Sequence, residues 1–405
     1  MSTVLPYDIA IQIIDVVGEA ENRNLLERLA LVSHSFREIC SKYLFATVEL
    51  RDAKRGTPSS KKGFVKLVTS RPDVIRYIRK LTYNLTRAKC NDVNVDHLVS
   101  PILSKFLPTI SCLSSLEIIG LHTSYSKRDW NRLNSSLRLS FLHLMRLPTI
   151  NHIYLSNIQN FPVSSLASSV NLHRLDIRYL TDDSFDTVQS EMAPKIREFH
   201  TSLSRATTKL LHAKRQDGQP AFDFMDLRRL SISYTQSEDE QNIRYLLQNA
   251  KLLEELHLEV GGGVSFVGLD DTLSCSAPTL KVLDLTAPLY PVFPTRSPFV
   301  VLCEKLEVMA GHDMLEAMSF EVVLEHLETA DYIGSKVREV ENLLVNHGWC
   351  ALRQVSIKIS IACGSKEDRA KLVETLQSLP AKYLSRLSNL ESVAFNYSVV
   401  RQNTG

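Results

Sequence analysis

The sequence LEELHL at Leu253–Leu258 is one copy of a pattern, L-x-x-L-x-L, that recurs through most of this 405-residue chain. Six clear copies have Leu or Ile at the first, fourth and sixth positions, and they begin at Leu113, Ile150, Leu172, Leu227, Leu253 and Leu280. Weaker copies begin at Ile78, Ile196, Cys303, Leu352 and Leu390. Neighbouring copies start between about 22 and nearly 50 residues apart. A short apolar pattern repeated in this way predicts parallel strands, each followed by a return segment.

Several of the longer intervals between copies have apolar residues at helical spacing. We expect helices over residues 129–145, 238–249, 314–347 and 366–387. Short strands with such returns resemble leucine-rich repeats, in which stacked units bury a continuous leucine core. The resemblance implies an irregular leucine-rich-repeat solenoid of the α/β class, with parallel strands and helical returns. It would cover residues 78–398 and leave a short tail at 399–405.

An ordinary α/β enzyme with a parallel sheet is the alternative interpretation of the same strands. A nucleotide-binding sheet needs a glycine-rich phosphate loop, and the closest match, Gly261-Gly262-Gly263, is followed by no G-K-[ST] or G-x-G-x-x-G motif. The sequence also has no H-E-x-x-H or H-x-H metal spacing, no G-x-S-x-G elbow and no C-x-x-C pair among its seven cysteines. We therefore expect a protein that is not an enzyme and has no cofactor or metal site.

The first fifty residues have the spacing of three short helices. Apolar residues recur from Ile9 to Val17, after a proline, Pro6, that suits the first turn of a helix. A second apolar stripe runs from Leu25 to Val32, and Ser33 is expected to cap a third helix. Three such helices have more apolar surface than one small core can bury. We therefore expect the excess to contact the rest of the chain or a partner.

This segment resembles an F-box. The resemblance rests on the ordered combination of Leu5-Pro6, Asp8, the step Val32-Ser33 and the pair Phe36-Arg37. It implies an F-box-like module over residues 1–50 that docks a Skp-type adaptor and through it a cullin–RING ubiquitin ligase of the SCF type. The chain would then be the subunit that recognises the ligase's target. The residues that would form the adaptor interface, as contacts or as supporting core, are Leu5, Pro6, Ile9, Ile13, Leu26 and Val32.

A second interpretation of the module needs no ligase. The three helices would only cap the N-terminal end of the repeats, and the chain would be a protein-binding scaffold. The two interpretations differ in whether an apolar side of the module stays free for a partner.

The residues that alternate with the leucines of each strand predict where a target protein binds. Neighbouring residues of a strand point to opposite faces, so these side chains should form one open surface away from the leucine core. Acids, bases and histidines are interleaved on this surface, which suits a protein or a peptide with patterned charge better than nucleic acid. The predicted target-binding residues are His152, Tyr154, Arg174, Asp176, Glu198, His200, Arg229, Glu255, His257 and Asp284.

Charge is unevenly distributed, although the whole chain has a net charge of only +2. Residues 51–89 contain twelve basic and two acidic residues, and we assign 51–77 to a basic connector. A solvated linker, a nuclear-import signal and a nucleic-acid contact are all open interpretations of this run, and the last is a third candidate function. Nucleic acid is not the partner that we expect. No basic leader and no apolar run of eighteen residues are present, so we expect a cytoplasmic or nuclear protein that does not enter a membrane.

Overall fold

The computed structural model describes residues 7–20, 22–51, 59–85, 93–120, 128–181, 188, 192–202, 205–234, 239–261, 273, 278–289, 306, 314–324, 330–346, 348–362 and 366–401. The chain divides into two compact units. The first consists of Met1–Pro194 with His212–Ala221, and the second of Lys195–Leu211 with Phe222–Gly405. Both units consist of parallel strands and helices, so the predicted α/β class with parallel strands is confirmed.

Within its described residues, the first unit contains five parallel strands that pair in the order β1-β2-β3-β5-β7, and a separate parallel pair, β4 with β6. The strands are β1 Thr47–Leu50, β2 Lys80–Leu85, β3 Ser115–Gly120, β4 Arg128–Asp129, β5 His152–Ser156, β6 Ile158–Gln159 and β7 Arg174–Arg178. The α-helices are α1 Tyr7–Glu19, α2 Arg23–Leu29, α3 His34–Leu44, α4 Ser60–Ser70, α5 Val93–Phe106 and α6 Ser135–Met145. Short 3-10 helices cover Pro72–Tyr77, Leu107–Thr109, Trp130–Arg132 and Val163–Ser168.

In the described part of the second unit, seven parallel strands pair in chain order from β8 to β14. These strands are β8 Glu198–Ser202, β9 Arg229–Tyr234, β10 Glu255–Val260, β11 Val282–Leu289, β12 Ala317–Leu324, β13 Gln354–Ile361 and β14 Ala394–Arg401. Its α-helices are α7 Arg205–Leu211, α8 Asp239–Asn249, α9 Ala330–Asn346, α10 Lys366–Gln377, α11 Leu379–Tyr383 and α12 Ser385–Ser388.

The L-x-x-L-x-L pattern locates the strands correctly. Each of the six clear copies coincides with a strand, and its three apolar residues are buried, as in β10, where Leu253, Leu256 and Leu258 all lie inside. The weaker copies that begin at Ile78, Ile196, Leu352 and Leu390 coincide with β2, β8, β13 and β14. Of the copy that begins at Cys303, only Leu306 is among the described residues, and it is buried. The repeated apolar residues therefore form the inner side of the sheet in each unit.

One predicted helix is wrong in its first part. Residues 314–347 were expected to be helical, but 317–324 form strand β12, and α9 begins only at Ala330. The burial of β12 alternates at every second residue, with Met318 and Phe320 inside and their neighbours partly exposed, which is the period of a strand. The other predicted helices are largely confirmed as α6, α8 and the group from α10 to α12, although α6 begins only at Ser135.

Local structure crosses the predicted domain boundaries. Strand β1 ends the segment 1–50 and pairs with β2, so the first sheet begins before residue 78. The connector 51–77 contains α4, which buries Phe64 and Val68 and is capped by Ser59. The tail predicted at 399–405 is part of β14 as far as Arg401.

Candidate functional site

The three N-terminal helices have a small core of their own. Ile14 of α1, Leu26 of α2 and Ile39 of α3 are buried against one another, together with Ala30 and Cys40. The helix caps fit this arrangement, since the side chain of Asn22 accepts a hydrogen bond at the start of α2 and Ser33 does so at the start of α3.

One hydrogen bond ties the third helix to the first. The Tyr43 hydroxyl donates to Asp15 Oδ1 at 2.7 Å. Partial burial of the phenol and this contact with Asp15 together raise the pKa of Tyr43 to about 12. Gly18 makes the close approach possible, because a Cβ at that position would lie 2.3 Å from Tyr43 Cδ1. The module therefore folds around a defined contact between α1 and α3.

Helix α1 has a second apolar side that this core does not use. Ile9, Ile13 and Val16 follow one another at intervals of four and three residues, and their exposed fractions are 42%, 43% and 67%. We call these three residues the outer stripe. The sequence predicted one apolar side from Ile9 to Val17, whereas Ala10 and Ile14 point inward and the outer stripe points to solvent.

The turn after α2 also exposes apolar side chains. These exposed side chains are those of Leu31 and Val32, and each is more than half exposed. Their backbone N–H groups donate to Arg28 and Leu29 carbonyls, so the turn that presents them is hydrogen-bonded. The module thus offers a partner two groups of apolar side chains without unfolding.

The predicted adaptor residues fall into three groups. Ile9, Ile13 and Val32 are exposed, as a contact role requires. Leu26 is buried in the core of the module, which fits the supporting role expected for part of this set and not a direct contact. Leu5 and Pro6 lie outside the described residues. Sequence reasoning missed Val16 and Leu31 as exposed positions, although the spacing of seven residues from Ile9 to Val16 was a usable signal.

In the first unit, polar side chains alternate with the apolar core residues along β2, β3, β5 and β7. We call the side of the sheet that they share the open face, although Thr82, Asn84, Ser115 and Asp176 on it are themselves buried. His152 is central to it. Its Nδ1 lies 2.8 Å from Ser115 Oγ, and its Nε2 lies 2.7 Å from Asp176 Oδ2. Arg174 Nε donates to the same carboxylate oxygen at 3.0 Å. The open face therefore brings together His152, Arg174 and Asp176 from the predicted set, and adds Ser115.

The order Ser115, His152, Asp176 is that of a hydrolytic triad, but its surroundings do not fit acyl transfer. A nucleophilic serine needs an accessible hydroxyl and N–H donors for the oxyanion. Ser115 is buried, with 9% of its surface exposed, at the first position of β3. Its backbone N–H donates to the Arg79 carbonyl, and that of His152 donates to Ser114, so neither is available. We interpret the contacts among Ser115, His152 and Asp176 as a hydrogen-bond network that joins β3, β5 and β7 and fixes the side chains of the open face.

The remaining carboxylates of this open face are also paired. Glu117 lies 2.6 Å from Lys80 Nζ, and Thr82 donates to it at 2.8 Å. Glu49 accepts from Asn84 at 2.9 Å. Tyr154, the fourth predicted residue of this unit, has the Arg178 guanidinium 5.8 Å from the centre of its ring.

In the second unit, the predicted residues form pairs between adjacent strands. Glu198 of β8 accepts from the Arg229 guanidinium of β9, and His257 Nδ1 of β10 lies 3.7 Å from Asp284 Oδ2 of β11. Glu255 is exposed and makes no ion pair with a described residue. His200 of β8 is partly buried and lies opposite Ser231 of the neighbouring strand β9.

Sequence reasoning missed the polar residues of β12 because that strand was expected to be helical, and the predicted set also left out those of β13, although a weaker copy of the pattern located that strand. Lys358 of β13 lies 3.0 Å from the Glu321 carboxylate of β12, and the Ser360 hydroxyl donates to the same group at 2.5 Å. These residues extend the polar face of the second unit beyond the predicted set.

The basic connector does not form a continuous basic stripe within the part of the chain that the structure describes. Lys61 is buried, with Nζ 4.4 Å from the centre of the Tyr83 ring. Arg71 pairs with Asp73 at 2.8 Å, and Arg76 lies 3.5 Å from Glu38. These contacts engage cations that a nucleic-acid groove would need.

Neither a metal cluster nor a membrane-spanning helix is found in the described ranges. No group of three or more His, Cys, Asp or Glu side chains is placed to hold a metal ion there. None of the described helices is both long enough and apolar enough to cross a bilayer.

Comparisons with known proteins add little to this description. No protein-family model matches the chain, and no curated protein matches it. Among solved structures, 11 chains match. One is the crystal structure of a protein from Bacteroides fragilis, which is 12% identical, covers 84% of this chain and 82% of its own, and has a TM-score of 0.32. A likeness at this level carries no argument about function.

Proposed function

We propose that this chain is the target-recognition subunit of a cullin–RING ubiquitin ligase, an F-box protein with an irregular leucine-rich-repeat solenoid. Its N-terminal helices dock a Skp-type adaptor, and the polar faces of its strands hold a target protein. The chain acts in the cytoplasm or the nucleus and carries out no chemistry itself.

The outer stripe of α1 is the observation that carries this proposal. Ile14 and its neighbours already fill the core of the module, so Ile9, Ile13 and Val16 are not needed for its folding. Burying a whole isoleucine side chain is worth about 1.5–3 kcal/mol, so covering the exposed two-fifths of Ile9 or Ile13 contributes about 1 kcal/mol each. Exposed apolar side chains at helical spacing suit docking against another protein.

The mechanism is one of position. A target held on the strand faces would be brought close to the ubiquitin-loaded enzyme that the ligase recruits. Its effective concentration near that enzyme would rise to about the millimolar range without any catalytic residue on this chain. The paired carboxylates on the first sheet suit such a role, because they keep polar side chains in fixed positions.

Co-purification with a Skp-type adaptor tests the proposal. The wild-type chain is compared with an Ile9→Asp/Ile13→Asp variant, which places two charges on the outer stripe without entering the core. Leu139→Asp is the matched control, since Leu139 is an exposed apolar residue of α6 in the same unit. Burying an unpaired charge costs several kcal/mol, so we expect capture to fall by at least about 100-fold in the double variant.

The pattern across the three proteins decides between the two candidate roles. Capture by the wild type and by Leu139→Asp, but not by the double variant, supports the ligase subunit. If the wild type captures no adaptor, the helices are only a cap and the chain is a protein-binding scaffold. Circular dichroism of all three proteins establishes that the substituted chains are folded.

A further inference from the structure

We propose that the open face of the first unit binds an acidic peptide segment of the target, with Arg178 pairing with an Asp or Glu side chain and Tyr154 supporting the guanidinium. This inference rests on the proposed role of the strand faces in target binding. It does not depend on the adaptor, which the N-terminal helices would bind.

On this open face, one cation, Arg178, has no carboxylate partner among the described residues. Glu49, Glu117 and Asp176 all have cationic or polar partners on neighbouring strands. Arg178 is exposed, and no carboxylate among the described residues pairs with it. The three carboxylates are balanced by Arg51, Lys80 and Arg174, so among the described residues of this face Arg178 leaves a surplus charge of +1.

The position of Arg178 is favourable for binding a carboxylate. It lies at the end of β7, in register with Ser156 of β5, and its carbonyl accepts from the Asn157 N–H at 3.0 Å. Its guanidinium lies over the Tyr154 ring at 5.8 Å, within the range of a cation–π contact. A guanidinium supported in this way loses less freedom when it forms a two-bond pair with a carboxylate.

The charge also favours a carboxylate over a phosphorylated residue. One surplus positive charge is matched by one carboxylate, whereas a phosphate group near neutral pH carries almost two negative charges. The second negative charge would have no partner on the described part of this face, whose other cations are engaged by Glu49, Glu117 and Asp176.

Selection of displayed random twelve-residue peptides against the purified full chain tests the inference. The best peptides are then synthesised, and their affinity is measured by fluorescence anisotropy for wild type, Arg178→Ala, Arg178→Lys and Arg146→Ala. Arg146 is the matched control, an exposed arginine at the end of α6 rather than on a strand. Removing a charged hydrogen-bond partner should weaken binding by about tenfold or more in Arg178→Ala. Arg178→Lys should recover only part of that loss, because lysine cannot form the two-bond pair.

Enrichment of Asp or Glu in the selected peptides, with affinity lost in Arg178→Ala and kept in Arg146→Ala, supports the inference. Enrichment of basic peptides, acidic peptides whose affinity is the same for Arg178→Ala, or no enrichment at all would overturn it. Adaptor capture is measured in parallel on Arg178→Ala and should be unchanged. Failure of the peptide assay with capture intact therefore rejects only this inference, not the ligase role.

Discussion

Replacing Asp176 by alanine should destabilise the first unit more than any other single change on its open face. The Asp176 side chain is only 4% exposed, and its Oδ2 is contacted by His152 Nε2 at 2.7 Å and Arg174 Nε at 3.0 Å. Removal of the carboxylate leaves the His152 ring, whose side chain is 18% exposed, without its partner on β7. Arg174 is 46% exposed and can turn to water instead.

The magnitude follows from these two contacts. Loss of a hydrogen bond to a charged group, with its partner left largely buried, costs about 1.5–3 kcal/mol. The half-exposed pair with Arg174 adds about 1 kcal/mol at most. We therefore expect the free energy of opening of the first sheet to fall by about 2–4 kcal/mol in Asp176→Ala. Arg174→Ala alone should cost less than about 1 kcal/mol.

Hydrogen exchange followed by mass spectrometry is the appropriate assay, because it reports on each unit separately. Peptides that cover β3, β5 and β7 should exchange faster by about 30-fold or more, at 1.4 kcal/mol for each factor of ten. Strand β13 belongs to the second unit and serves as an internal control. A change below about 0.5 kcal/mol in β5 and β7 would refute the view that the Ser115–His152–Asp176 network holds these strands together.

Two further changes, at Gly18 and Tyr43, test the contact between α1 and α3, and a third, at Gly63, tests helix α4. Gly18→Ala should destabilise the module by about 1–3 kcal/mol, because the new Cβ meets the Tyr43 ring. Gly63→Ala on α4 has nothing within 4 Å and should instead stabilise its helix by about 0.5–1 kcal/mol. Hydrogen exchange of α1 and α4 measures both effects. Tyr43→Phe should remove one tyrosine that titrates at about pH 12 in absorbance at alkaline pH. Because folding raises this pKa, the stabilisation is complete below the unfolded value of about 10 and is lost as the pH rises towards 12.

The strand positions were predictable from the sequence because the L-x-x-L-x-L pattern encodes both the burial and the direction of each side chain. Leu256 and Leu258 of β10 point inward, and His257 between them points outward. Strand β12 escaped prediction because its alternating residues, from Met318 to Leu324, are separated by only five residues from helix α9, and a long window merges the two periods.

Contacts between strands were beyond the reach of sequence reasoning. Ser115 and His152 are 37 residues apart, and only the parallel register places them side by side. On α1, Ile9, Ile13, Ile14 and Val17 looked like one apolar side, although the packing of α2 and α3 decides which of them faces inward. Local spacing gives the helix, whereas tertiary packing assigns its faces.

Hydrogen exchange of the full chain, with and without a purified Skp-type adaptor, shows whether the N-terminal helices are the surface that the adaptor covers. We expect slower exchange over α1 and the turn at Leu31 and Val32 when the adaptor is present, with no change in strands β8 to β14. Protection confined to the strands, or no protection anywhere at saturating adaptor, would contradict the assignment of the N-terminal helices as the docking module.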